Sequence, residues 1–219
     1  MMGSLSDEIK IYGPGFLEAS WTVFSITILT IAVSWACGLV AALAQRSDWK
    51  AVRIAAGFYI WFIRGTPTLI QVFLIYFALP QIGIRLSPFT AGVIALGINS
   101  GAYVAEIVRG GLTAIQRGQT ESALALGFSP AETMRTIILP QVFRIILPSI
   151  TNEAISTLKN TSLLSTITVV ELTLYAQTLI ASTFRPFEFY IAVAVIYLVL
   201  TTILTFVASW LERHYANLG

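Results

Sequence analysis

Residues 19–45 form a run of 27 positions without a single Asp, Glu, Lys or Arg. As an α-helix such a run is about 40 Å long, more than the roughly 30 Å hydrocarbon core of a bilayer. Lipid offers no water to backbone N–H and C=O groups, so a lone apolar segment crossing it has to be helical. Three further uncharged stretches, 65–84, 86–105 and 189–211, each reach the roughly 20 residues that a crossing needs. Charged residues make up only 11% of the chain and mean hydropathy is +0.80. A soluble domain carries about 25% charge, so most of this chain is expected to face lipid. A net charge of +2 gives no reason to expect nucleic acid as a partner.

Between 135 and 185 the apolar character is interrupted by Arg144, Glu153, Lys159 and Glu171. One span is expected there, at about 138–158. Hydropathy leaves open whether 161–184 crosses the membrane or lies at its surface. The expected spans are therefore about 19–45, 54–80, 86–108, 138–158 and 188–211, in a single domain. Basic residues favour the cytoplasmic ends of spans. With the N-terminus outside, eight of them (Arg46, Lys50, Arg53, Arg109, Arg117, Arg135, Arg144, Arg213) fall inside. Three (Lys10, Arg85, Arg185) fall outside. A sixth crossing would move Arg213 to the outer side, so five is favoured, with the C-terminus in the cytoplasm. The N-terminus lacks a basic segment followed by an apolar core, so no cleaved signal peptide is expected.

Cys37 and His214 are the only residues of their kinds, which argues against zinc clusters, disulfides and most His-dependent catalysis. Lysine occurs only at 10, 50 and 159, none within a G-x-x-x-x-G-K-[ST] phosphate loop. The chain is not expected to be an enzyme, to hydrolyse ATP or to bind a cofactor.

The longest polar connection between confident spans is 109–136. Gly110 and Gly111 are expected to end the third span. "GQTESALALG" offers about two turns of helix closed by Gly127, and Ser129-Pro130-Ala131-Glu132 reads as a capping box that starts another helix. A helix this short is marginal alone in water, so Ala123, Leu124, Ala125 and Leu126 need a surface to pack on. That surface is the protein's own inner face or a groove in a soluble partner.

Glu121-Ser122-Ala123, Gly127 after three intervening residues, and Ile137-x-Leu139-Pro140 after nine more resemble the EAA loop of ABC importer permeases. Ser122 stands where that pattern has alanine. "RGTPTLIQ" at 64–71, "GAYVAEIVRGGLTAIQRGQTESALALG" at 101–127 and "KNTSLLS" at 159–165 resemble the five-span permeases of polar amino acid uptake systems. The likeness runs from residue 16 to the end. It implies an all-α integral membrane protein with the type I ABC importer permease fold, in the plasma (inner) membrane. It also implies a cytoplasmic coupling helix within 119–129, where Gln119, Glu121, Ser122, Ala123, Leu126, Gly127 and Ser129 would meet the ATPase. The implied partners are a cytoplasmic ATPase dimer that holds ATP and Mg, a second permease subunit (identical or sibling) and an extracytoplasmic amino-acid-binding protein.

Polar groups within spans are costly, by about 2.5–3.5 kcal/mol for a charge, and normally face a partner or a cavity. Asn99, Tyr103 and Glu106 share one face of the third span; Glu153, Ser156, Thr157 and Asn160 share one face of the fourth. Either these residues only pair between helices, or the two faces line a substrate pathway. Arg64, beside Gly65 and Pro67, reads as an interfacial or helix-break charge, and Gly92 and Gly97 as helix-packing sites. A gradient-driven transporter is disfavoured, because no two halves carry matching interrupted helices. An intramembrane hydrolase lacks a His or Cys constellation.

The orientation is testable directly. In a Cys37→Ser background, cysteines replacing Ser47 and Ser129 are expected to be shielded from an impermeant thiol reagent added to intact cells, and one replacing Ser6 to react. Labelling at 47 or 129 would reverse the orientation drawn from the basic residues.

Overall fold

The long uncharged run is the latter part of a still longer helix. In the computed structural model, which describes residues 5–216, helix α1 covers Leu5–Ala44. It starts well before the expected span because charged residues near its N-terminus are compatible with helix and only with lipid are they not. Helix α2 covers Lys50–Gly65, and α3 covers Thr68–Phe73, prolonged by a π-helical turn Leu74–Ala78 and a 3-10 turn Leu79–Ile82.

The expected span 54–80 is not one helix. The chain turns by 112° between Lys50–Gly65 and Thr68–Ile82. Thr66 (ψ 148°) and Pro67 (ψ 136°) are both extended. A proline pushes the residue before it out of the helical region and offers no N–H, so the helix ends here.

Helix α4, Pro88–Ala114, begins at a Ser87 cap whose hydroxyl accepts from the Thr90 N–H. It runs straight through Gly110 and Gly111, contrary to expectation. Gly111 instead lets another helix approach: a Cβ there would overlap Ile146 Cγ2. Helices α5 (Arg117–Ala125) and α6 (Pro130–Glu132) follow. A π-helical turn, Thr133–Ile138, joins α6 to α7, Leu139–Asn160. Pro140 has no N–H to give, and the wider turn before it takes up the defect. After a 3-10 turn, Thr161–Ile167, come α8 (Leu172–Thr183) and α9 (Pro186–Ala216). The segment whose depth hydropathy left open is thus a turn plus a helix, bent 46° from Pro130–Ile167.

Among the described residues three helices, Glu8–Ala44, Pro88–Ala114 and Pro186–His214, are long and apolar enough to cross a membrane, and up to five crossings result if each bent pair is one. No strand occurs among the described residues. Helix α4 is central: 67% of its most apolar stretch is buried, against 11% for α9. Its main partner is α1, and glycine permits the contact. A Cβ at Gly101 would lie 2.7 Å from Cys37 Cβ, and one at Gly38 would lie 2.6 Å from Val104 Cγ1. Gly92 and Gly97 are packing sites as well, against Leu164 and Val33.

Gly101→Val is expected to cost about 1–3 kcal/mol by overpacking this seam. Gly57→Ala, where nothing lies within 4 Å, is the control and should melt no lower than the parent. Thermal unfolding of the two purified variants in detergent distinguishes them; equal melting would remove the seam's importance.

Candidate functional site

Gln71 ends the motif "RGTPTLIQ" and sits on α3, directly beyond the break. Its side chain is buried. Its Nε2 donates to the Ile63 carbonyl at 2.8 Å, the Thr66 Oγ1 at 2.8 Å and the Thr66 carbonyl at 3.2 Å, while its Oε1 accepts from Asn99 Nδ2 at 2.9 Å. One amide thus closes carbonyls that the broken helix leaves open and ties them to α4. Asn99 is buried in this clasp rather than on an open surface.

The rest of that α4 face is also paired across to α2. The Arg64 guanidinium lies over the Tyr103 ring at 5.5 Å. Glu106 accepts from Arg109 through both oxygens, at 2.9 and 2.8 Å, and lies 3.4 Å from Arg64 Nη1.

The α7 face meets a different side of α4. Thr157 Oγ1 donates to Ser100 Oγ at 3.3 Å. Glu153, Thr157, Ser100 and Ser34 share the wall of a cavity of about 20 Å3 between α1, α4 and α7. That is room for about one water molecule. Ser156 and Asn160 are half-buried nearby on α7. Positions 99 and 100 are about 100° apart around a helix. The two polar faces singled out in the sequence therefore do not meet along one shared path within this chain; each has its own side of α4.

Glu171 was read from sequence only as an interruption, and it proves wholly buried. It caps α8, its oxygens accepting from the Thr173 N–H (2.9 Å), the Leu174 N–H (3.0 Å) and the Tyr197 hydroxyl (2.9 Å). A Glu directly before an apolar helical run was the available signal. Among the described residues no group of His, Cys, Asp and Glu is arranged to hold a metal.

The polar connection has a definite geometry. Gly127, at φ 88°, ends α5 with its N–H on the Leu124 carbonyl (3.0 Å), and the Phe128 N–H reaches the Ala123 carbonyl (3.1 Å). That is a Schellman closure, where glycine takes the left-handed conformation without strain. The capping box is present: the Ser129 hydroxyl accepts from the Glu132 N–H, and Glu132 Oε2 accepts from the Ser129 hydroxyl (2.7 Å) and N–H (2.8 Å). Those two bonds hold the Glu132 carboxyl below its ordinary range. Of the residues expected to contact a partner, Gln119, Glu121, Ser122, Leu126, Gly127 and Ser129 are exposed. Ala123 is not: it is buried on the side where α5 packs on the turn Thr133–Ile138. Leu126, by contrast, is 78% exposed, with Leu124 and Phe128 also open.

Comparison with known proteins converges on one group. The profile of the binding-protein-dependent transport system inner membrane component family matches residues 34–217. The glutamine transport system permease protein of Escherichia coli K12 is 44% identical over 91% of this chain and 92% of its own length. The arginine transport system permease protein of Bacillus subtilis is 36% identical over 91% and 92%. A crystal structure of an amino acid ABC transporter with histidines superposes with a TM-score of 0.90 at 41% identity, covering 98% of this chain and all of that one. The inward-facing MetNI methionine ABC transporter shares the fold at 16% identity, with a TM-score of 0.78 over 98% and 99% of the two chains.

Gln71→Leu is expected to destabilise the protein by about 1–3 kcal/mol, since it leaves a buried asparagine amide and a helix-end carbonyl unsatisfied. Adding Asn99→Leu should restore part of the loss, because both partners are then apolar. Melting in detergent of both single variants and the double gives the coupling; additive losses would show that the clasp is not a unit.

Proposed function

The chain belongs to the family of binding-protein-dependent transport system inner membrane components, and from that premise we propose that it forms the translocation pore of an ATP-driven importer of polar amino acids. It is an all-α, multi-pass membrane protein. The reading rests above all on the loop after α4: a capped helix at the polar end of the bundle that leaves Leu124, Leu126 and Phe128 open. Apolar side chains clustered on such a short helix call for a partner groove.

The partner is a cytoplasmic ATPase dimer that holds ATP and Mg. Gln119, Glu121, Ser122, Leu126, Gly127 and Ser129 face it. Ala123 has the complementary task of seating α5 on the turn Thr133–Ile138. That turn runs on into α7 as one helical run to Ile167, with Pro148 inside it. A displacement of α5 therefore travels along one lever to Glu153 and Thr157. When the ATPase pair closes, the lever shifts α7 against Ser100 on α4, which changes the polar surface offered to substrate. Hydrolysis and release return it.

In this mechanism Glu153, Ser156, Thr157 and Asn160 belong to the moving wall of the pathway. Asn99, Tyr103 and Glu106 hold the broken second span in place beside it. The basic residues at the span ends support five crossings with the N-terminus outside and the loop inside. A second permease subunit, identical or sibling, completes the pore, and an extracytoplasmic binding protein delivers the amino acid.

Gly127→Arg tests the coupling. Among the described residues nothing lies within 4 Å of a Cβ at Gly127, so the internal cost there is backbone strain of about 1–2 kcal/mol. The variant is expected to insert into the membrane, yet to lose ATPase co-purification or ATP-dependent uptake in proteoliposomes. Normal association with normal uptake would overturn the assignment of the loop.

A further inference from the structure

Beside the turn that joins α1 to α2 lies an open pocket of about 470 Å3 that plays no part in the mechanism above. Its walls carry three guanidinium groups, from Arg46, Arg53 and Arg109, over an apolar base of Ala42 and Leu112. No salt bridge pairs Arg46 with a carboxylate among the described residues. Arg53 Nη1 donates to the backbone carbonyls of Ser47 (2.7 Å) and Asp48 (3.0 Å), which orients the group without neutralising it. Arg109 shares Glu106 with Arg64, so one carboxylate serves two cations. Gln45, also in the wall, hydrogen-bonds Glu106, and its Oε1 is buried and closed to the pocket. The pocket thus offers excess positive charge.

We propose that this pocket binds the headgroup of an anionic phospholipid, its phosphate held by Arg46 and Arg53. Arginine suits a phosphate diester, since its fork can meet two oxygens at once. A free phosphate would use the same cations, but the surroundings favour a lipid. Val40 and Leu43 on the last turns of α1, and Trp49 and Ile54 at the start of α2, are more than half exposed. They supply an apolar flank for acyl chains and an interfacial tryptophan at the level where such rings lie. Clusters of basic residues at the edge of a span are the usual recognition element for anionic headgroups.

The test uses the purified full chain in detergent and native mass spectrometry, with phosphatidylglycerol and phosphatidylcholine of identical acyl chains. One phosphatidylglycerol is expected to bind at least tenfold more tightly than phosphatidylcholine. Each arginine near an anionic headgroup is worth about fivefold in affinity, so Arg46→Gln with Arg53→Gln should weaken phosphatidylglycerol by about 25-fold while phosphatidylcholine is unchanged. Millimolar glycerol 3-phosphate should not displace the lipid. Equal affinity of the parent for the two lipids overturns the proposal, and that comparison holds even if the double variant folds poorly. So does unchanged binding by a folded double variant. Displacement by glycerol 3-phosphate would assign the pocket to a soluble anion instead. Loss of the lipid on addition of the ATPase subunit would make it a protein contact, which overturns the proposal too.

Discussion

The bundle depends on how closely α1 and α4 approach. At Gly38, Gly97 and Gly101 a single added carbon would collide with the facing helix. Between two helices in lipid there is little hydrophobic gain from association, because the tails are as apolar as leucine. What remains is dispersion, which falls away steeply with distance. Small residues convert that weakness into a tight seam, and the seam fixes α4 as the post around which α2, α3 and α7 are arranged. Because α4 is fixed on one side, its other two sides are free to carry different polar tasks.

Those tasks follow from the absence of water. Wherever a helix breaks inside the bundle, open backbone groups must find partners in the protein. The break after Gly65 is answered by Gln71, which also reaches Asn99. The start of α8 is answered by Glu171, whose carboxylate is itself steadied by the Tyr197 hydroxyl. Both side chains are nearly or wholly inaccessible. Polar residues in this chain are thus first of all the means by which bent helices are tolerated. Where such a group borders a cavity, as Glu153 does, the space is about 20 Å3, enough for one water.

The sequence made some of this legible and hid the rest for reasons that can be named. Helix ends governed by local chemistry were readable: Gly127 and the Ser129–Glu132 capping box lie where their residue types predict. Gly110 and Gly111 misled because a glycine that admits a neighbouring helix looks the same in sequence as one that ends its own. The 112° turn at Thr66 and Pro67 fell within an apolar stretch of span length, and hydropathy does not register direction. Helical spacing correctly put Asn99, Tyr103 and Glu106 on one face. It could not say that their partners come from α2 and α3, while α7 abuts Ser100, since that depends on the arrangement of helices and not on any one of them. Ala123 sits in the recognisable motif, yet its inward direction is set by a packing partner 10 to 15 residues further on.

That inward alanine bears on how force can pass through the chain. A helix that only touched a soluble partner would transmit nothing unless it were also seated firmly on the membrane domain. α5 has two unlike sides: a small buried residue against the turn Thr133–Ile138, and large open residues, Leu126 above all, facing outward. A larger residue at 123 would lift the helix off its seat, whereas in the proposed coupling a smaller one at 126 would loosen its grip on the partner. The turn beneath is π-helical and leads past Pro140 into α7, which carries a second proline, Pro148, in its interior. In the proposed coupling, a movement at the loop reaches α7 through this π-helical turn, and α7 lies directly against α4.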